Sequence, residues 1–186
     1  MANVNYVSVT AGKNAEEANA VLSEFQKAGY SLNGKYVPAL GIQVSKKTLN
    51  GIKPQNLRLA EFAEIPSLVQ IAGGRAMPVI HYNTKNTDTL FEQVSKALEN
   101  NYDYCKLVQI NSTFPDALHF EKLKERFAGL KISLQVDYRQ MDIDAAASKI
   151  ITYGNCIDYV LIDPSKGRGD LFDIDKSCLL YLKVKE

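Results

Sequence analysis

The chain has 186 residues, 46% of them apolar, with 22 Lys and Arg against 21 Asp and Glu. That length suits one domain, residues 1–186, with a sizeable core, and the apolar content excludes a disordered chain. The balanced charge supplies no global field for nucleic acid or an anionic membrane, so any anion must be recognised locally.

The start, Met-Ala-Asn-Val-Asn, lacks a basic leader, and no window approaches the roughly 18 apolar residues of a spanning helix. A cytoplasmic protein with no membrane or nucleic-acid partner is expected. Cys105, Cys156 and Cys178 are odd in number, with no Cys-x-x-Cys spacing and only His81 and His119 beside them. Neither a disulfide framework nor a metal site is signalled, and Cys105 and Cys156 read as small core residues.

The apolar runs alternate in type. Tyr6 to Thr10 reads as a strand, and Ala15 to Ala28 repeats apolar residues at helical spacing, with Glu16 and Glu17 near its favourable end. Tyr36 to Val44 is the second strand. After the loop Ser45 to Lys53, Pro54 suits the first turn of a helix carrying Leu57, Leu59, Ala60, Phe62 and Ala63. Met77 to Tyr82 is the third strand, followed past Thr87 by a helix with Leu90, Phe91, Val94, Ala97 and Leu98. Lys106 to Ile110 leads to a helix from Pro115, and Ile132 to Val136 to a helix over Ala145 to Tyr153. Tyr159 to Ile162 is the sixth strand.

Strands alternating with helices predict βα units and a parallel sheet, either a (β/α) barrel or an open doubly wound sheet. The first βα turn, Val9-Thr-Ala-Gly-Lys-Asn14, lacks the three-glycine dinucleotide fingerprint, and Gly73-Gly74 precedes a strand where that motif follows one. No cofactor is indicated. The glycine loop follows the sixth strand instead, where Gly167 and Gly169 could turn backbone N–H groups toward a phosphate.

In either architecture ligands meet the carboxyl ends of the strands. The residues there are Thr10, Ser45, Asn83, Asn111, Asp137 and Asp163, with Lys46 and Lys47 after the second strand. Capping explains part of this polarity. Two carboxylates among amides and hydroxyls suit acid/base chemistry on a polar organic molecule, with Asp163 and Asp137 as proton carriers and Lys47, Asn83 and Asn111 as ligand contacts. His81, inside a strand, reads as a satisfied core residue.

Several segments resemble phosphoribosylanthranilate isomerase, a barrel enzyme of tryptophan biosynthesis. Leu161-Ile-Asp163 and Gly167-Arg-Gly-Asp-Leu-Phe-Asp173 follow that family's sixth-strand pattern of Leu/Ile, Asp, then Gly-x-Gly-Lys-Thr-Phe-Asp-Trp. Gly41-Ile-Gln-Val-Ser-Lys-Lys-Thr-Leu-Asn-Gly-Ile-Lys-Pro54 is similar to its second strand and loop, without a gap. Ile80 to Asn83, Val108 to Ile110 and Lys13 to Ala18 resemble its third strand, fourth strand and first-helix opening.

The resemblance implies a TIM-type (β/α) barrel and an Amadori rearrangement of an aminosugar phosphate, with no cofactor and Asp163 at the position of the family's acid. It also exposes departures. Thr10 stands where the family has its Cys base, Asn50 where it has a carboxylate-binding Arg, Asn111-Ser112 where it has His-Gly, and Asp170 where it has the loop Lys. After Asp173 only Ile174 to Glu186 remain, against about 200 residues or more for an eight-fold barrel. The expectation is an abbreviated or incomplete barrel that binds a phosphorylated small molecule as an isomerase. The alternatives are a non-catalytic binding or scaffold relative, and an enzyme of altered chemistry using Asp137 with Asp163. Unpaired parallel edges on the first and sixth strands imply that an incomplete barrel either self-associates, as a homo-oligomer, or covers those edges.

Overall fold

The computed structural model describes residues 5–11, 14–53, 56, 58–112, 114–163 and 171–185. Strands β1 (Tyr6–Ala11), β2 (Val37–Ser45), β3 (Met77–Asn83), β4 (Leu107–Asn111), β5 (Lys131–Val136) and β6 (Tyr159–Ile162) form one sheet in the order β1-β2-β3-β4-β5-β6. Every neighbouring pair is parallel. Helices α1 (Ala15–Lys27), α2 (Lys46–Leu49), α3 (Ile65–Ala72), α4 (Leu90–Leu98), α5 (Ala117–Arg126), α6 (Ile143–Ile151) and α7 (Ile174–Lys185) fill the connections and follow the last strand.

Sequential order with parallel pairing is the topology of a (β/α) barrel wall. The sheet curls until its outer strands meet at their amino ends. Tyr6 of β1 packs edge-to-face on Tyr159 of β6, with ring centroids 5.4 Å apart, and its hydroxyl reaches Ser133 Oγ of β5 at 3.4 Å. The result is a half-barrel of six described strands.

The helices start where capping groups stand. Asn14 Oδ1 accepts from Glu17 N at 3.0 Å, Asp116 Oδ1 from Leu118 N at 2.9 Å, and Asp142 Oδ2 from Asp144 N at 3.1 Å. Each pairs a backbone N–H that the first helical turn leaves without a partner. The apolar stripes then face the sheet. Leu22, Leu68, Val94, Leu123 and Ile150 of the helices join Leu40, Ile42, Ile80, Val108, Ile132 and Leu134 of the strands in one buried cluster. Each such side chain stabilises the fold by about 1.5–3 kcal/mol.

One expected helix moves. Pro54 and Leu57 lie outside the described residues; Leu59 and Ala60 are not helical, Ala60 N donates to Gln43 O of β2 at 3.0 Å, and Phe62–Glu64 form a single 3-10 turn. The helix begins at Ile65, and the proline in its first turn is Pro66. Cys105 is buried as expected, Cys156 is partly buried and Cys178 is exposed. Among the described residues no helix is long and apolar enough to cross a membrane.

The amino ends of β5 and β6 are fixed by a charge cluster. Asp158 accepts from Lys131 Nζ at 2.7 Å, from Ile132 N at 2.9 Å and pairs with Lys124 Nζ at 3.0 Å. Burial pushes this carboxyl up, but the hydrogen bonds from Lys131, Ile132 and Lys124 outweigh it and hold the group below its ordinary value. Asp158→Ala leaves these donors without their acceptor. It is expected to cost on the order of 2–3 kcal/mol in urea denaturation, whereas loss of an exposed pair such as Lys27–Glu24 changes little.

Candidate functional site

Side chains alternate across a strand, so one face of each strand meets the helices and the other lines the inside of the curl. The inner face begins with an apolar floor at the amino ends, Ala39, Val79 and Leu107 packed with Tyr6, Met77 and Tyr159. Above it the same face turns polar. In register across the sheet stand Gln43, His81, Gln109 and Ser133, a row that ends on Tyr159 of β6, and one step beyond stand Ser45, Asn83 and Asn111. Gln135 of β5 continues this lining toward β6.

Asp163 follows β6 directly and its backbone N donates to Val136 O at 3.2 Å, which extends the ladder to the carboxyl rim. Gln135 Nε2 donates to Asp163 Oδ2 at 2.7 Å, so the carboxylate is oriented by an amide from the adjacent strand. Gln109 Nε2 likewise donates to Asn111 Oδ1 at 2.9 Å. The rim residues expected at β4 and β6 are thus positioned by glutamines one layer deeper.

The other expected site residues differ in what they do. Asp137 is buried and held by Arg139, whose Nε meets Oδ1 at 3.0 Å and whose Nη2 meets Oδ2 at 3.1 Å. A carboxylate whose two oxygens are both engaged by one guanidinium suits charge placement better than proton transfer. Ser45 Oγ accepts from Thr48 N at 3.3 Å as the cap of α2, and Asn50 ends that helix. Lys46 and Lys47 are exposed on α2, Thr10 is exposed near the end of β1, and Asn83 is half-buried at the tip of β3. Gly167, Gly169 and Asp170 lie outside the described residues.

His81 departs from expectation. It is 6% exposed, yet its Nε2 has no hydrogen-bond partner among the described residues, so it is buried without being satisfied. Its ring sits against β2 at Gly41, where an added Cβ would come within 2.6 Å of Cε1 and 2.8 Å of Nε2. Ser8 Oγ and Gln43 Oε1, from the same inner face, are also buried without partners among the described residues. Strand ends alone do not reveal these groups. The signal that finds them is the two-residue alternation in Gly41-Ile-Gln-Val-Ser45, Val79-Ile-His-Tyr-Asn83 and Leu107-Val-Gln-Ile-Asn111, apolar outward and increasingly polar inward.

Burial pushes the His81 imidazole down from its ordinary 6.5 to about 4. Between those values the unfolded chain takes up a proton that the folded chain refuses, so stability is lost as pH falls through this window. The full effect is on the order of 3 kcal/mol. Urea denaturation across pH 6.5 to 4 is expected to show this loss in the native chain and its absence in His81→Phe.

No protein-family model matches this chain, and neither does the sequence of any curated protein. Solved structures do. Phosphoribosyl anthranilate isomerase from Thermococcus kodakaraensis superposes with a TM-score of 0.58 at 14% identity, over 97% of this chain and 71% of that one. The Thermotoga maritima enzyme gives 0.54 at 13%, over 92% and 68%. The YdjI aldolase from Escherichia coli K12 gives 0.52 at 13%, over 84% of this chain and 53% of that one. Likeness of this degree speaks to architecture, and with the sheet order it shows that the chain is a TIM-type (β/α) half-barrel similar in fold to the matched part of phosphoribosylanthranilate isomerase.

Proposed function

We propose that the carboxyl-end mouth of this half-barrel binds a phosphorylated sugar derivative, in the manner of a sugar-phosphate isomerase, with Asp163 as its acid. The observation that carries this reading is the Asp163 carboxylate, half-buried at the tip of β6 and oriented by Gln135 Nε2 at 2.7 Å. In its protonated form such a group can donate to the ring oxygen of an aminosugar and open the ring, and hydrogen bonding from Gln135 keeps it aimed. Asn83 and Asn111 at the same rim offer neutral donors and acceptors to hydroxyl groups, and Lys47 on α2 offers a cation to the phosphate.

An isomerase also needs a base for the proton at C2. Thr10, in the position of the family's Cys, is exposed, and a hydroxyl is too weak to serve unassisted at neutral pH. Asp137 is engaged by Arg139. These two observations favour a second reading, a barrel relative that binds the ligand without turning it over.

Calorimetry with inorganic phosphate and with ribulose 5-phosphate tests the binding that both readings share. Saturable binding of ribulose 5-phosphate, tighter than phosphate, is expected, and no heat at millimolar ligand overturns it. Turnover of an aminosugar phosphate separates the two. If the chain is an isomerase, Asp163→Asn abolishes turnover while leaving the melting temperature in place. If it only binds, native chain and variant are equally inactive, and Thr10→Cys with Asn50→Arg creates no activity.

A further inference from the structure

We propose that Gln43 and His81 form a second, uncharged subsite inside the half-barrel, deeper than the rim that carries Asp163, which takes a hydroxylated part of the ligand. This rests on the reading that the carboxyl-end mouth admits a ligand. Gln43 of β2 and His81 of β3 stand opposite each other in the register of the sheet and belong to its inner face. Among the described residues both present buried polar atoms without partners, Gln43 Oε1 and His81 Nε2, and Ser8 Oγ of β1 adds a third on the same face.

An unpaired buried polar atom costs about 1–3 kcal/mol, so three on neighbouring strands are a sizeable penalty for packing alone. Their arrangement also has a structural requirement. The imidazole lies where any side chain at position 41 would stand, and Gly41 leaves that space open. The ring is therefore fitted into the wall rather than left over from it.

The chemistry of the two groups selects the guest. Gln43 Oε1 only accepts, and a neutral imidazole can donate from Nε2. A hydroxyl donates to the first and accepts from the second, satisfying both at once. A fully ionised phosphate or carboxylate cannot donate to Gln43, and burial keeps His81 from supplying a countercharge above about pH 4. An ammonium would be desolvated above the apolar floor of Ala39, Val79 and Leu107 without a charge partner. A polyol chain, with one hydroxyl on each carbon, meets the requirement and can extend from here toward Asp163.

Ribitol, inorganic phosphate and ribitol 5-phosphate are the probes, read by nitrogen-15 spectra of the imidazoles. The chain has two histidines, His81 and His119, so the second is an internal control. Ribitol and ribitol 5-phosphate are expected to shift the His81 Nε2 resonance and leave His119 in place, while inorganic phosphate moves neither. His81→Phe and Gln43→Leu each weaken ribitol 5-phosphate about tenfold, the effect of one buried hydrogen bond, and leave inorganic phosphate binding unchanged. Gly41→Ala displaces the ring and has the effect of His81→Phe.

An unmoved His81 resonance with both polyols overturns the proposal. So does native affinity for ribitol 5-phosphate in both variants, or a His81 shift produced by inorganic phosphate alone. Should a variant fail to fold, the resonance in the native chain decides. Ribitol moving His81 with no phosphate-dependent binding would sustain this subsite and defeat the phosphorylated-ligand reading, while phosphate-dependent binding with His81 unmoved would do the reverse.

Discussion

The constraint on which this molecule depends is the parallel register of β2, β3 and β4. Because side chains alternate with a period of two, one register decides both what packs against the helices and what faces the inside of the curl. Leu40, Ile42, Ile80 and Val108 go outward into the main cluster, and Gly41, Gln43, His81 and Gln109 go inward. A slip of one residue would put Gln43, His81 and Gln109 under the helices and strand the branched side chains in the interior. The apolar outer face therefore fixes the position of every inner polar group, although none of those groups contributes to the drive that sets it.

The distribution of charge follows from the same arrangement. The ionic contacts of the wall are kept at its two ends, Asp158 with Lys124 and Lys131 at the amino end and Asp137 with Arg139 at the carboxyl end. Between them the inner face is neutral, amide, hydroxyl and imidazole above an apolar floor. Hydrogen bonds in such surroundings are stronger than in water, and unpaired groups are costlier. Specificity here would come from matching donors to acceptors, with charge reserved for the rim.

Much of the fold could be read from the chain. Tyr159 to Ile162 is a strand at both ends as its β-branched run implies, and the other strands differ from their apolar runs by a residue or so at a boundary. Asn14, Asp116 and Asp142 cap because short polar side chains before a helical pattern have few better uses. The segment before α3 misleads because its apolar residues have a helix-like density while Ala60 bonds back to β2, a long-range contact with no local signature. At the site, Asp163 was visible as a carboxylate ending a strand. Its partner Gln135 was hidden, because pairing across β5 and β6 is a matter of register and no motif encodes it.

His81 shows why satisfaction is harder to read than burial. A histidine among Val, Ile and Tyr is buried by its neighbours, and the sequence says so. Whether its nitrogen finds a partner depends on which atoms of β1, β2 and β4 reach the same layer, which only the curl of the sheet determines. In a closed eight-stranded barrel that layer would be filled by branched side chains. Here Tyr6 packs edge-to-face on Tyr159, and Ser8, Gln43 and His81 of the same inner face carry buried polar atoms without partners among the described residues. Apolar packing sets the position of those groups without pairing them, and the proposed ligand would supply the hydrogen bonds they lack.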